Sequence, residues 1–459
     1  MELDPVLLSR LQFAFVIAFH ILLPAFTVGL ASFIVLLEGL YAVKRDAVYL
    51  RLSVFWTRMF AVSFGMGVVS GIVMPFQFGT NWSRFSETGA NIFGPLLAYE
   101  GMVAFFLESG FLGIMLFGRK LVPPWAHFFA ALMVALGTLF SSFWILAFNS
   151  WMHTPQGHEL VDGRFLPHSW LAIIFNPSFP YRLMHTVTGF YLTTAFAVLG
   201  VTAWHLKRGQ HVAESQRVLG MTVIFIAVFV PIQITLGDLH GVNTLEHQPV
   251  KLAAIEGLWE TQAHAPAVLF AIPDQEREQN RFEISIPELA SVYLTHSRDG
   301  VVPGLKSAAP NDRPPIIPVF FGFRIMVGIG VLMLAVAVWG LWLRWRGRLF
   351  TTRAYLNACI AMLPAGFIAV LAGWTVTEVG RQPWVVYGLL RTSDAVTPSV
   401  TGGDVLVSFI LYVVVYAIVF GAGIFYMAKV ARAGPPSEVA IRDAKLGERP
   451  ARPLSAAET

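Results

Sequence analysis

The sequence predicts an all-α polytopic membrane protein of nine transmembrane helices, with a periplasmic N-terminus and a cytoplasmic C-terminus. Three observations carry that expectation. The 459 residues are 56% apolar and 13% charged, with a mean hydropathy of +0.63, against about 45–50% apolar and about 25% charged residues in a soluble chain. A chain of this length folded in water needs two or three cores under a charged shell, and the charges for that shell are missing. The apolar runs are long and unbroken, unlike the short alternating segments of a transmembrane barrel. Basic residues, finally, collect in alternate connections.

A span needs about 20 mostly apolar residues to cross about 30 Å of hydrocarbon. Nine segments qualify: 11–40, 53–76, 93–117, 125–149, 182–204, 218–238, 317–343, 354–377 and 404–429. Residues 150–181 are polar at first and then carry a shorter apolar piece with two prolines, which reads as a loop. One set of connections holds Lys44, Arg45, Arg51, Arg119, Lys120, Lys207, Arg208, Arg217, Arg344, Arg346, Arg348 and Arg353, with Lys429 and Arg432 at the end of the ninth span. The other set has only Arg10, Arg84, Arg164, Arg381 and Arg391 in its short loops. The positive-inside rule makes the first set cytoplasmic, so the N-terminus is outside.

The chain thus divides into six spans over 1–238, a periplasmic loop over 239–316, three spans over 317–432, and a tail over 433–459 that reads as cytoplasmic and disordered. Pro249, Pro266, Pro273 and Arg313-Pro314-Pro315 punctuate the long loop. Loops of that length are uncommon in compact proteins and often functional.

Several classes are excluded. A net charge of +4, spread between apolar runs, argues against nucleic acid. The single cysteine, Cys359, rules out a disulfide framework, an iron–sulfur cluster and a thiolate zinc site. Glu2 and Asp4 precede a first apolar run too long for a cleavable signal, so the first helix inserts uncleaved. No internal repeat supports a transporter built from inverted halves.

Ionisable groups inside spans are costly, which makes each a functional candidate. Glu100 and Glu108 share the third span. Eight residues rise about 12 Å and turn about 80° beyond two full turns, so the acids lie broadly on one side at different depths, with Ser109 beside the second. Such a row suits a proton path or a metal-facing site; alternatively both acids only pair with bases on neighbouring helices. His20, midway along the first span, either bonds a carbonyl or ligates haem iron as a neutral imidazole.

His185 opens the fifth span and Met326 lies in the seventh, both near the outer end. A His/Met pair holds a low-spin haem; adaptable packing is the rival role for the methionine. Arg324 wants an anion, and a haem propionate would serve. Asp238 closes the sixth span. Glu378 ends the eighth, where it can pair with Arg381, and Trp374 lies one turn earlier on the same face, as belt, core or cofactor neighbour. His153, His158, His168, His240, His247, His264 and His296 fall in external loops and read as solvated surface. The histidine cluster of a haem–copper oxidase, the paired histidines of a dihaem quinol–cytochrome c reductase and any phosphate or dinucleotide fingerprint are all missing.

Five stretches, taken together and in order, resemble the large catalytic subunit, subunit I, of cytochrome bd quinol oxidases: Gly79-Thr-Asn-Trp82, Glu100-Gly-Met-Val-Ala-Phe-Phe-Leu-Glu108-Ser109, Lys251-Leu-Ala-Ala-Ile-Glu256, Phe323-Arg-Ile-Met326 and Glu378-Val-Gly-Arg-Gln-Pro-Trp384. The likeness runs to about residue 432. It implies a nine-helix subunit of the bacterial cytoplasmic membrane with two haem b, one low-spin and one high-spin, and one haem d. By motif match, His185 and Met326 ligate the low-spin haem b, with Arg324 near its propionates. His20 ligates haem d, with Glu100 as a sixth ligand. Glu378 ligates the high-spin haem b, with Trp374 beside the haems and Arg381 near the propionates. Lys251 and Glu256 match the quinol-oxidation region, Glu108 and Ser109 the proton-entry side.

The chain passes almost directly from Gly304-Leu-Lys306 to Arg313-Pro-Pro, resembling the short-loop subclass that includes the cyanide-insensitive oxidases. The implied partners are ubiquinol or menaquinol, O2, a second membrane subunit (subunit II) and small single-span subunits. The implied reaction is quinol oxidation at the outer face with four-electron reduction of O2 to water, separating charge without pumping. A cytochrome that only relays electrons and a non-enzymatic transporter with buried acids are the alternatives.

Overall fold

The computed structural model describes residues 3–437, and among them nine helices are long and apolar enough to cross a membrane. They are Pro5–Lys44, Ala47–Thr80, Ser83–Lys120, Pro124–His153, Phe179–Lys207, Val212–His247, Ile316–Trp345, Arg353–Val379 and Gly402–Ala433, called here the first to the ninth helix. Residues 438–459, most of the expected tail, lie outside the described residues. The helices form two four-membered groups, first to fourth and fifth to eighth, joined where the first packs on the fifth. The ninth lies against the first and second. Phe26, Leu30, Ile34, Trp56, Phe60 and Val134 fill one core; Phe196, Val223, Ile226, Met333, Tyr355 and Leu356 fill the other. Apolar side chains such as Val407, Ile410, Leu411, Ile418 and Phe425 of the ninth helix face outward, as lipid-facing surfaces do.

Three departures from regular helix bear on function. Pro24 has no N–H to offer the His20 carbonyl four residues earlier, so the first helix breaks there. The freed carbonyl accepts instead from the Leu23 N–H at 3.0 Å. In the third helix, Glu100–Phe105 forms a π-helical stretch. Each extra residue in a wider turn takes back about 100° of rotation, so the 80° offset expected between Glu100 and Glu108 shrinks and the two acids fall nearer one line. The sixth helix, read from sequence as ending at 238, continues to His247, and exposed Asp238 therefore lies within it rather than at its end.

The long loop is itself folded. After the sixth helix come a short helix, Pro249–Glu256, then a hairpin pairing Ala267–Asp274 with Gln279–Ile286, then a second short helix, Leu289–Thr295. Leu252, Leu258, Ala265, Ala290, Leu294 and Val302 give the loop its own core. Ala254, Trp259, Val268 and Leu305 seat it on Ile316, Val319 and Phe320 of the seventh helix. Successive helices alternate direction, so this loop caps one face of the bundle while Lys44, Arg119, Lys207 and Arg344 mark the opposite one.

Candidate functional site

The loop-capped face gathers a buried polar cluster from four segments distant in sequence. The Glu378 carboxylate, at the end of the eighth helix, accepts from Asn149 Nδ2 at 2.9 Å and lies 3.4 Å from His153 Nε2, both on the fourth helix. It also pairs with Arg381. Arg182, at the start of the fifth helix, donates to Asn149 Oδ1 at 2.9 Å. Lys251, from the loop helix, donates to Gln248 Oε1 at 3.0 Å and lies 3.4 Å from His153 Nδ1. Arg182, Lys251 and Arg381 are each at most 6% exposed. Three cations thus surround one carboxylate. Burial, and then repulsion from Arg182 and Arg381 against the attraction of Glu378, holds the Lys251 ammonium well below the ordinary lysine value.

Buried charge without compensation is expensive. Among the described residues, Nε and Nη1 of Arg381 and Nε of Arg182 are buried and find no hydrogen-bond partner. A cluster with that surplus fits a group bearing carboxylates, as the two propionates of a haem do.

His20 rests its Cε1 where a Cβ on Gly71 would come within 3.1 Å, so a larger residue there would crowd the ring. Its Nδ1 is 2.9 Å from Ser70 Oγ. That hydroxyl has the Met66 and Gly67 carbonyls at 3.1 and 3.0 Å for its one proton. Nδ1–H therefore donates to the serine oxygen, leaving the Nε2 lone pair as the ligand atom. The same device recurs twice. A Cβ on Gly237 would stand 3.3 Å from His185 Cε1, and one on Gly373 would stand 2.8 Å from Met326 Sδ. His20, His185 and Met326 each lie against a glycine of a neighbouring helix. His185 is six residues inside the fifth helix, and Gly373, beside Met326, is six residues inside the end of the eighth, each about 9 Å along its helix from that end. Gln233 of the sixth helix donates to the His185 carbonyl at 3.1 Å.

Glu100 accepts from Ser141 at 2.8 Å, and the Glu108 backbone packs against Gly137. The Glu100 carboxylate and the Glu108 backbone thus meet one stripe of the fourth helix, four residues apart. Ser109 and Trp374 are half-buried on the third and eighth helices.

Three sequence expectations change. Arg324 was expected to seek an anion. The anion near it is the Glu256 carboxylate, felt by charge, while its guanidinium donates to the Ile255 and Phe320 carbonyls at 2.6 and 3.0 Å and to those of Val268 and Glu256. It stacks over the Phe320 ring and pins the C-terminal end of the loop helix, where a cation is favoured. His153 and His240 are not loop surface. His153 is fully buried in the polar cluster, and His240, within the sixth helix, packs its ring 5.6 Å from that of His185. Lys251 and Glu256 are separated as well: five residues turn about 140° beyond one turn, sending Lys251 into the cluster and Glu256 to Tyr293 at 2.5 Å.

Asn149, His153, Arg182, Gln248 and Ser141 were missed as site members. Only Arg182 left a signal, one turn before His185 on the same helical face.

A membrane bundle that presents imidazole, thioether, carboxylate and surplus cations near one face has the donor set of a membrane haem protein. Residues 8–435 match the family model for cytochrome bd terminal oxidase subunit I, and the chain belongs to that family. It is 36% identical over 443 residues to cytochrome bd ubiquinol oxidase subunit 1 of Bacillus subtilis, covering 94% of each chain. With cytochrome bd-II ubiquinol oxidase subunit 1 of Escherichia coli it shares 34% over 500 positions, covering 94% of this chain and 97% of that one. The structure of bd oxidase from Geobacillus thermodenitrificans superposes with a TM-score of 0.87 at 30% identity, over 95% of this chain and all of that one.

The family comprises quinol:oxygen oxidoreductases that carry haem, and this chain is a terminal respiratory oxidase subunit of the bacterial cytoplasmic membrane. That sets aside the relay-only and transporter alternatives.

Proposed function

We propose that the chain oxidises ubiquinol or menaquinol at a periplasmic, loop-capped face and supports reduction of O2 to water, drawing substrate protons from the opposite side and separating charge without a pump. The observation that carries this reading is the cation surplus around Glu378, with buried arginine nitrogens left over, beside three iron-ligand candidates each laid on a glycine. His185 and Met326 would ligate a low-spin haem b, His20 a haem d with Glu100 as a sixth ligand, and Glu378 a high-spin haem b, with Trp374 alongside. Bound haem supplies electron transfer and oxygen activation.

The protein's own residues supply the rest. Arg381, Arg182 and Lys251 neutralise propionates. Arg324 holds the loop helix against the seventh helix. Glu256 accepts a quinol proton. Glu108 and Glu100, with Ser109 and Ser141 beside them, form a row of proton carriers along the third helix, suited to the role because acids in a low-dielectric span bind protons tightly.

Relatives designated subunit 1 support a second membrane subunit as partner, and we add small single-span subunits. The almost direct passage from Gly304-Leu-Lys306 to Arg313-Pro-Pro supports a short form of the quinol loop. The test is Met326→Leu in the assembled oxidase. The low-spin haem b signal should vanish from reduced-minus-oxidised spectra, and oxygen uptake with quinol should fall at least tenfold. An unchanged spectrum removes Met326 as a ligand.

A further inference from the structure

Glu256 is 3% exposed, and one side chain addresses its carboxylate: Tyr293 Oη donates to Oε2 at 2.5 Å. The short helix that carries Tyr293 is held firmly. Ser291, fully buried, donates to the Gly300 carbonyl at 2.8 Å and accepts from the Ala265 N–H at 2.8 Å. Ala290 and Leu294 of that helix bury against Leu252 and Leu258, beside Glu256 in the chain. The core of the loop thus delivers one phenol hydroxyl to one buried carboxylate.

We propose that Tyr293 is a positioning residue for quinol oxidation: its hydroxyl aims the Glu256 carboxylate and keeps it ready to accept a proton from a bound quinol. The inference rests on the reading of Glu256 as quinol-site acceptor. Three charged or titratable groups face one another here. Tyr293 comes from the second loop helix and Arg324 from the seventh helix. Arg324 commits its N–H groups to carbonyls and acts on Glu256 through charge alone. Burial lifts Glu256 above the ordinary carboxylate range, while the Tyr293 bond and Arg324 pull it back. Burial first, and then the neighbouring carboxylate, raises Tyr293 above its usual value, so the phenol stays a donor.

The experiment compares Tyr293→Phe and Glu256→Gln in the assembled oxidase, reading kcat/KM for quinol against pH and the infrared C=O band that Glu256→Gln removes. A charge-assisted hydrogen bond is strong enough that losing it should move the acid limb, and the pH at which that band disappears, upward by about one unit or more. Haem content should stay normal. If Tyr293→Phe keeps the native limb and band while Glu256→Gln is inactive, this inference falls and the quinol-site reading stands. Normal turnover in Glu256→Gln overturns both. Should Tyr293→Phe not assemble, 3-fluorotyrosine at 293 keeps shape and donor but is more acidic; it should lower the limb, and an unmoved limb overturns the inference.

Discussion

Two buried ionic clusters occupy opposite faces of the bundle, and they are built differently. At the face marked by basic connections, Glu38 of the first helix pairs with Arg119, accepts from Ser53, and has His127 Nδ1 3.5 Å away. His127 turns its other nitrogen to the Met115 carbonyl at 3.1 Å. One carboxylate there meets one guanidinium, and the cluster ties the first four helices together. At the loop-capped face, one carboxylate meets three cations, and buried arginine nitrogens are left over. Balanced charge is what a purely structural junction needs. A surplus makes sense only if something anionic completes it. The same residue types therefore mark a joint at one end and a binding site at the other.

That contrast breaks most visibly at Glu378. Glu378→Gln leaves three buried cations with no carboxylate, and uncompensated buried charge costs about 3–5 kcal/mol. Loss of the high-spin haem b signal and at least a tenfold fall in oxygen uptake are expected, measured by pyridine haemochrome and an oxygen electrode. Full haem content would remove Glu378 as an iron ligand.

Glu38→Gln is the matched control. It should destabilise by about 1–3 kcal/mol, lowering the melting temperature by a few degrees, with the haem spectrum intact. Haem loss ahead of unfolding would erase the distinction between the clusters.

The smallest effect concerns pH. Lys251 releases its proton well below 10.5 in the folded chain. Between those two values the unfolded chain holds one more proton, so stability rises with pH across that window. Melting curves of haem-depleted protein should show this rise, and Lys251→Met should flatten it. An identical slope in the variant would mean that anions already offset the surplus.

Much of the first-order picture was readable from the sequence. His20, His185, Met326, Glu378 and the Glu100–Glu108 pair stood out because an ionisable or ligating side chain in an apolar run is conspicuous without any partner in view. Their surroundings were not readable. The residues that hold Glu378 come from 229 and 225 positions away, and His153 looked like loop surface because nothing nearby in the chain shows that the fourth helix extends to bury it. The hydrogen-bond partners of Arg324 were hidden for a related reason: they are backbone carbonyls, most of them from a folded loop, and carbonyls carry no sequence signature. The π-helical turn between Glu100 and Glu108 left no local signal either.

The number of crossings and the family were determined by the chain alone, since transfer into hydrocarbon adds up residue by residue along each run and motifs survive as strings. Which buried charges cancel, which are left over, and which glycines lie against His20, His185 and Met326 were decided only in three dimensions. Electrostatic and steric fit depend on distances of a few ångströms between helices far apart in sequence, and no local pattern encodes them.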